Sequence, residues 1–153
     1  MNLQDWAIPA ELEDIFWKRT HTPADAVEML SNINPNRTTQ SVYESVASLW
    51  LNNPMDEIVD AQYLYEQNCA ACHGETGSGD GPGSAFTPVQ PAAFNDLAYM
   101  FNLRSDVLYA KIRRGGMGTD MPNFGTIFTP QETWALVDYL WQLALRNQKT
   151  ESK

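Results

Sequence analysis

The residues best equipped for chemistry sit in one run, Cys69-Ala70-Ala71-Cys72-His73. Two thiols three positions apart, with an imidazole directly behind them, suit four chemistries. Structural zinc wants four ligands at usable spacings, and the chain holds only two Cys and two His. Of these, His73 is crowded against Cys72 and His21 lies far upstream. A dithiol redox pair normally follows a strand in a βαβ unit, and nothing before Cys69 reads as a strand. A disulfide between residues this close removes little chain entropy. The fourth chemistry is haem attachment: the thiols reach two vinyl groups on one macrocycle, and the adjacent imidazole falls under the iron. One covalent haem c is the expected cofactor.

The elements that must position this run are helical. Ile58, Ala61, Leu64 and Tyr65 form one stripe that runs straight into Cys69, so an apolar face ends where the cofactor would lie. After His73 the stretch Gly74-Glu75-Thr76-Gly77-Ser78-Gly79-Asp80-Gly81-Pro82-Gly83 is too rich in glycine for regular structure. It suits a loop wrapping a flat cofactor, because a residue without Cβ allows close approach. Its spacing lacks the context of a phosphate-binding loop. Ser105-Asp106-Val107-Leu108 reads as a cap and helix start, ending at Gly115-Gly116. Thr129-Pro130-Gln131-Glu132 is a capping box with proline at the first helical position. The helix it opens carries Trp134, Val137, Leu140, Trp141 and Ala144 on a broad apolar face.

Upstream, Trp6, Ile8, Leu12, Ile15, Phe16 and Trp17 lie among acids, with Pro9 able to start a short amphipathic helix. Thr22-Pro23-Ala24-Asp25 reads as a second helix start, and Asn32 to Asn36 as a break. Residues 38–52 resume helical spacing through Val42, Val46, Leu49 and Trp50. The expected division is an acidic helical extension over 1–55, a haem domain over 56–147 and a frayed tail over 148–153.

Charge supports that division. The net charge is −9, yet residues 1–60 hold ten acids against three bases and residues 61–153 nine against seven. This balance argues against nucleic-acid binding and is compatible with a basic protein partner; a plain solvated face is the blander reading. No apolar run approaches membrane-spanning length, and the acidic start MNLQDWAIPAELED shows no signal peptide. With haem attachment, the expected location is the periplasm or the outer face of the cytoplasmic membrane, reached through a signal or anchor not present in this chain.

From about Asp56 to Arg146 the chain resembles a class I c-type cytochrome domain, as found in bacteria. The resemblance rests on Cys-Ala-Ala-Cys-His-Gly, on Tyr65 four residues before the first Cys, and on Ala61 where glycine is commoner. It rests also on Gly77-Ser78-Gly79-Asp80-Gly81-Pro82, on Pro91-Ala92-Ala93-Phe94 and on Met121-Pro122. The implied fold is all-α around one covalent haem, preceded here by the extra N-terminal segment. The resemblance implies His73 as proximal ligand and Met121 as distal ligand, with Met117 as rival. It implies the Pro91 carbonyl as acceptor for the His73 N–H, with Pro88 as alternative, and contact of Leu136 and Tyr139 with Ala61 and Tyr65.

A His/Met pair leaves no open iron position, so the expected function is one-electron transfer in a respiratory or photosynthetic chain rather than catalysis. The expected partners are redox proteins acting as donor and acceptor, with a membrane complex docked through the acidic segment as a further option. Competing readings are a haem relay in a larger redox complex, and a sensor or peroxidase whose Met ligand detaches. Arg104, Lys111, Arg113 and Arg114 could pair with haem propionates, meet a partner, or simply be solvated.

Overall fold

The computed structural model describes residues 7–53, 59–116 and 118–146, and among them every regular element is helical. In chain order these are α1 Ile15–Thr20, α2 Pro23–Ile33, α3 Thr39–Leu51 and α4 Ala61–Asn68, then α5 Ala70–His73, α6 Leu97–Phe101, α7 Ser105–Arg114 and α8 Pro130–Arg146. The all-α expectation stands. Trp6, the expected helix start at Asp56 and Ile58, the 55/56 division, Met117 and the tail over 148–153 lie outside the described residues.

Short-range capping starts these helices where the sequence predicts. Thr22 Oγ1 accepts from the Asp25 N–H while the Asp25 carboxylate accepts from the Thr22 N–H, a reciprocal cap with Pro23 in the first turn. Thr129 and Glu132 do the same for α8. Each such cap is worth about 1 kcal/mol. The first stretch differs from expectation. Asp14 accepts from the Phe16 and Trp17 N–H groups, splitting one helix into a 3-10 turn, Ala10–Glu13, and the short α1. That break turns Phe16 outward, 72% exposed, and Lys18 inward, 4% exposed. Lys18 meets the cost of burial by donating from Nζ to the Leu49 carbonyl at 3.0 Å.

The longest helix, α8, is the spine. It packs against α3, α4, α6 and α7, and Leu136, Val137, Leu140, Trp141 and Ala144 are all buried along it. Burial of each large side chain contributes roughly 1.5–3 kcal/mol. Trp141 also donates from Nε1 to Ser105 Oγ at 3.0 Å. This corrects the reading of Ser105 as a cap: it is the first residue of α7, and its hydroxyl serves α8 instead.

The N-terminal segment is built onto this spine. α1 lies against α7, α2 against α3 and α6, and α3 against α8. Trp50 meets Trp141 edge-on, ring centroids 6.4 Å apart. One apolar core therefore runs from Leu12, Leu30 and Val46 through to Leu136 and Trp141.

Asp138 stands at this junction. Asn53 Nδ2 donates to its Oδ1 at 3.3 Å, yet burial pushes the carboxyl up to about 6 from an ordinary 3.8, against the lowering effect of Arg19 and Lys18. Between those two values the folded chain binds more protons than the unfolded one, so stability must fall as pH rises through the window. Urea titrations at pH 4 and pH 7 should show the wild type losing on the order of 2 kcal/mol relative to Asp138→Asn. Equal pH slopes for the two proteins would contradict this.

Candidate cofactor site

The motif is presented by a tight corner. α4 ends at Cys69, whose N–H still donates to the Tyr65 carbonyl at 2.8 Å, and Cys69 in turn accepts from the His73 N–H at 2.9 Å. The single turn of α5 thus carries Cys72 and His73 directly onward from α4. Both cysteines are free thiols. Burial pushes the Cys69 thiol up to about 12, with the nearby Cys72 adding to the effect. That is unlike the lowered thiol of a dithiol redox pair. His21, the fourth member of the zinc alternative, is stacked on Trp17 at 4.1 Å and held by the Trp17 carbonyl at 2.9 Å. Among the described residues no group of three or more His, Cys, Asp and Glu side chains could hold a metal ion.

The glycine run then laces back over the motif. Gly79 N–H donates to the His73 carbonyl at 2.8 Å and Gly81 N–H to the Cys72 carbonyl at 3.1 Å. At Gly79 the backbone has φ +77°, and a Cβ there would lie 2.6 Å from the Pro91 carbonyl oxygen; only glycine fits. Phe94 N–H closes the lacing by donating to the Gly77 carbonyl at 2.6 Å.

This lacing fixes the imidazole. His73 Nδ1 lies 3.0 Å from the carbonyl of Ala92. A carbonyl can only accept, so Nδ1 carries the proton and Nε2 keeps a free lone pair. The acceptor is Ala92, not Pro91 as the sequence suggests. Pro91 keeps a place in the wall of the same cavity. Phe94 stacks on the imidazole at 4.7 Å, and burial lowers the His73 pKa from 6.5, outweighing the Ala92 hydrogen bond. The neutral ring is the ligating form.

Met121 lines the same cavity, half-buried and packed against the core. Its loop leaves α7 at Gly115, where φ is +78° and a Cβ would lie 2.8 Å from the Met121 carbonyl oxygen. Thr119 Oγ1 accepts from the Met121 N–H at 3.3 Å, and Phe124 N–H returns to the Ile112 carbonyl at 3.1 Å. Cys69, Cys72, His73 and Met121 all line one cavity of about 700 Å³, whose other walls include Leu108, Ile112, Leu136 and Leu140. That volume is within the roughly 300–1,000 Å³ of cofactor pockets. Two thiols and an imidazole from one corner, a thioether from another loop and apolar walls between them fit a haem c.

Of the remaining predicted residues, Tyr65 is fully buried, donates from its hydroxyl to the Gly74 carbonyl at 2.6 Å, and packs on Tyr139 at 5.2 Å. The four bases separate. Arg104 pairs with Asp106, Arg113 turns to backbone carbonyls of the Met121 loop, Lys111 lines the cavity and Arg114 is exposed. Sequence reading missed Ala92 as the His73 acceptor and did not foresee that Arg113 ties the loop backbone, since backbone acceptors and loop ties leave no residue-type signal.

Tyr65→Phe should leave the Gly74 carbonyl without its buried donor and cost about 1–3 kcal/mol in urea denaturation. An unchanged midpoint would show that water replaces the hydroxyl.

A family model described as Cytochrome c matches residues 58–144, more than half of the chain. No curated protein and no solved structure matches it. The match brings with it haem-based electron transfer, covalently bound haem c and redox protein partners. It describes an electron-transfer protein rather than a catalyst by itself. With its two free thiols, its oriented imidazole and the Met121 thioether all lining one apolar cavity, the chain belongs to the cytochrome c family.

Proposed function

We propose that the chain holds one haem c through thioether bonds to Cys69 and Cys72, with His73 and Met121 as axial ligands, and passes single electrons between protein partners. The observation that carries this reading is the convergence of those four side chains on one apolar cavity. The haem, when bound, supplies a one-electron couple. The protein's residues set its behaviour. His73, oriented by Ala92, offers a strengthened nitrogen donor. Met121 offers a neutral thioether, which favours the reduced state and raises the potential, as do the buried walls. With His73 and Met121 both holding the iron, the haem would have no position for a substrate, and rearrangement on electron transfer would be small. That supports a carrier over a sensor or peroxidase.

In this reading, residues 56–147 form the haem domain, residues 1–55 an added segment and residues 148–153 a tail. Most of the segment's apolar side packs on α6, α7 and α8, so a partner would meet its outer side, where Glu11, Glu13, Glu28 and Glu44 are exposed beside Phe16. A basic redox protein or a membrane complex suits that surface. No helix among the described residues is long and apolar enough to cross a membrane. The compartment that fits is the periplasm or the outer face of a bacterial cytoplasmic membrane, in a respiratory or photosynthetic chain.

Met121→Ala should abolish the long-wavelength sulfur-to-iron absorption band of the ferric protein and lower its reduction potential, while Met117→Ala should leave both unchanged. Retention of the band in Met121→Ala would remove Met121 as the distal ligand.

A further inference from the structure

Arg113 is drawn away from solvent into the backbone of the loop that carries Met121. Its Nη1 donates to the Phe128 carbonyl at 3.2 Å and to Thr133 Oγ1 at 3.4 Å, and its Nη2 donates to the Gly125 carbonyl at 3.1 Å. The backbone of Arg113 joins the same tie, its carbonyl accepting from the Gly125 N–H at 3.0 Å. One guanidinium therefore grips both the far end of the loop and the first turn of α8. Its planar fork allows this; a lysine, with a single ammonium, could not reach the two carbonyls in the same fixed geometry.

The grip continues into the N-terminal segment. The Arg113 guanidinium lies 5.6 Å from the Tyr109 ring centroid, Tyr109 stacks on Trp134 at 4.3 Å, and the Arg19 guanidinium lies 3.9 Å from the Trp134 centroid. Two cations thus sandwich two stacked rings, one from α7 and one from α8, and the outer cation comes from α1. Each cation is attracted by the face of the ring it covers.

We propose that Arg113 is a positioning residue for the distal thioether, fixing the Met121 loop against α7 and α8, and that the N-terminal segment braces this grip through Arg19 on the Trp134–Tyr109 stack. The inference rests on the reading of Met121 as distal ligand. It gives the added segment a task within the chain: it keeps the loop closed from behind.

The test is imidazole binding to the ferric holoprotein, followed by loss of the sulfur-to-iron band, in the wild type and in Arg113→Ala, Arg113→Lys, Arg19→Ala and Met121→Ala. Imidazole must displace the thioether, so its apparent affinity reads how firmly the loop holds. Arg113→Ala should raise that affinity at least about tenfold, since hydrogen bonds from a charged donor are the strong ones. Arg113→Lys should recover part of the loss. Arg19→Ala, outside the site, should raise the affinity roughly threefold. A purely structural role would lower the urea midpoint with imidazole affinity unchanged, and that result in Arg113→Ala overturns the proposal. If Arg113→Ala does not fold, unchanged affinity in both Arg113→Lys and Arg19→Ala overturns it. A band that survives in Met121→Ala instead overturns the distal-ligand reading, and this inference with it.

Discussion

The hydrogen bond from His73 Nδ1 to the Ala92 carbonyl is the contact on which the rest of the site depends. It sets the tautomer, leaves Nε2 with a free lone pair, and ties the corner between α4 and α5 to a segment nineteen positions away. To make it, the intervening chain must fold back sharply. The glycine lacing does this by replacing side chains with backbone contacts at Gly77, Gly79 and Gly81. Phe94 completes the arrangement by stacking on the ring it helps to fix. A half-buried, oriented imidazole beside two free thiols suits a metal-centred cofactor.

The Met121 loop obeys a different logic, held by its own backbone and neighbours. Gly115 turns the chain out of α7, Thr119 supports the Met121 N–H, and Arg113 closes the far end. Behind these lies the N-terminal segment, whose Leu12, Leu30, Val46 and Trp50 extend the same core as Leu136 and Trp141. The acidic segment is thus packed on the haem domain, with charge on its outer side.

Much of this was legible in the sequence where the signal is local. Both capping boxes, the helix ends at Gly115 and Asn34 and the Ala61, Leu64 and Tyr65 stripe leading into Cys69 follow from residue types at fixed short spacings, whereas the Tyr65–Tyr139 contact was implied by the family resemblance. What was not legible depends on register across long separations. Ala92 rather than Pro91 meets His73 because a loop presents one of two adjacent carbonyls inward, and residue types do not say which. Ser105 looks like a cap, but Trp141 claims its hydroxyl from another helix. Lys18 is buried and Phe16 exposed because Asp14 interrupts the helix between the Leu12 and Ile15 turns. The short α6 carries too few residues for a periodic pattern and went unread.

The central claim is that Cys69 and Cys72 exist to bond a haem. An absorption spectrum of the protein purified from cells able to attach haem c, taken after denaturation and extraction with acidified organic solvent, tests it directly. The account predicts that the haem stays on the polypeptide at one equivalent per chain, and that it is lost when both cysteines are replaced by alanine. A colourless chain after extraction of the wild type would contradict it.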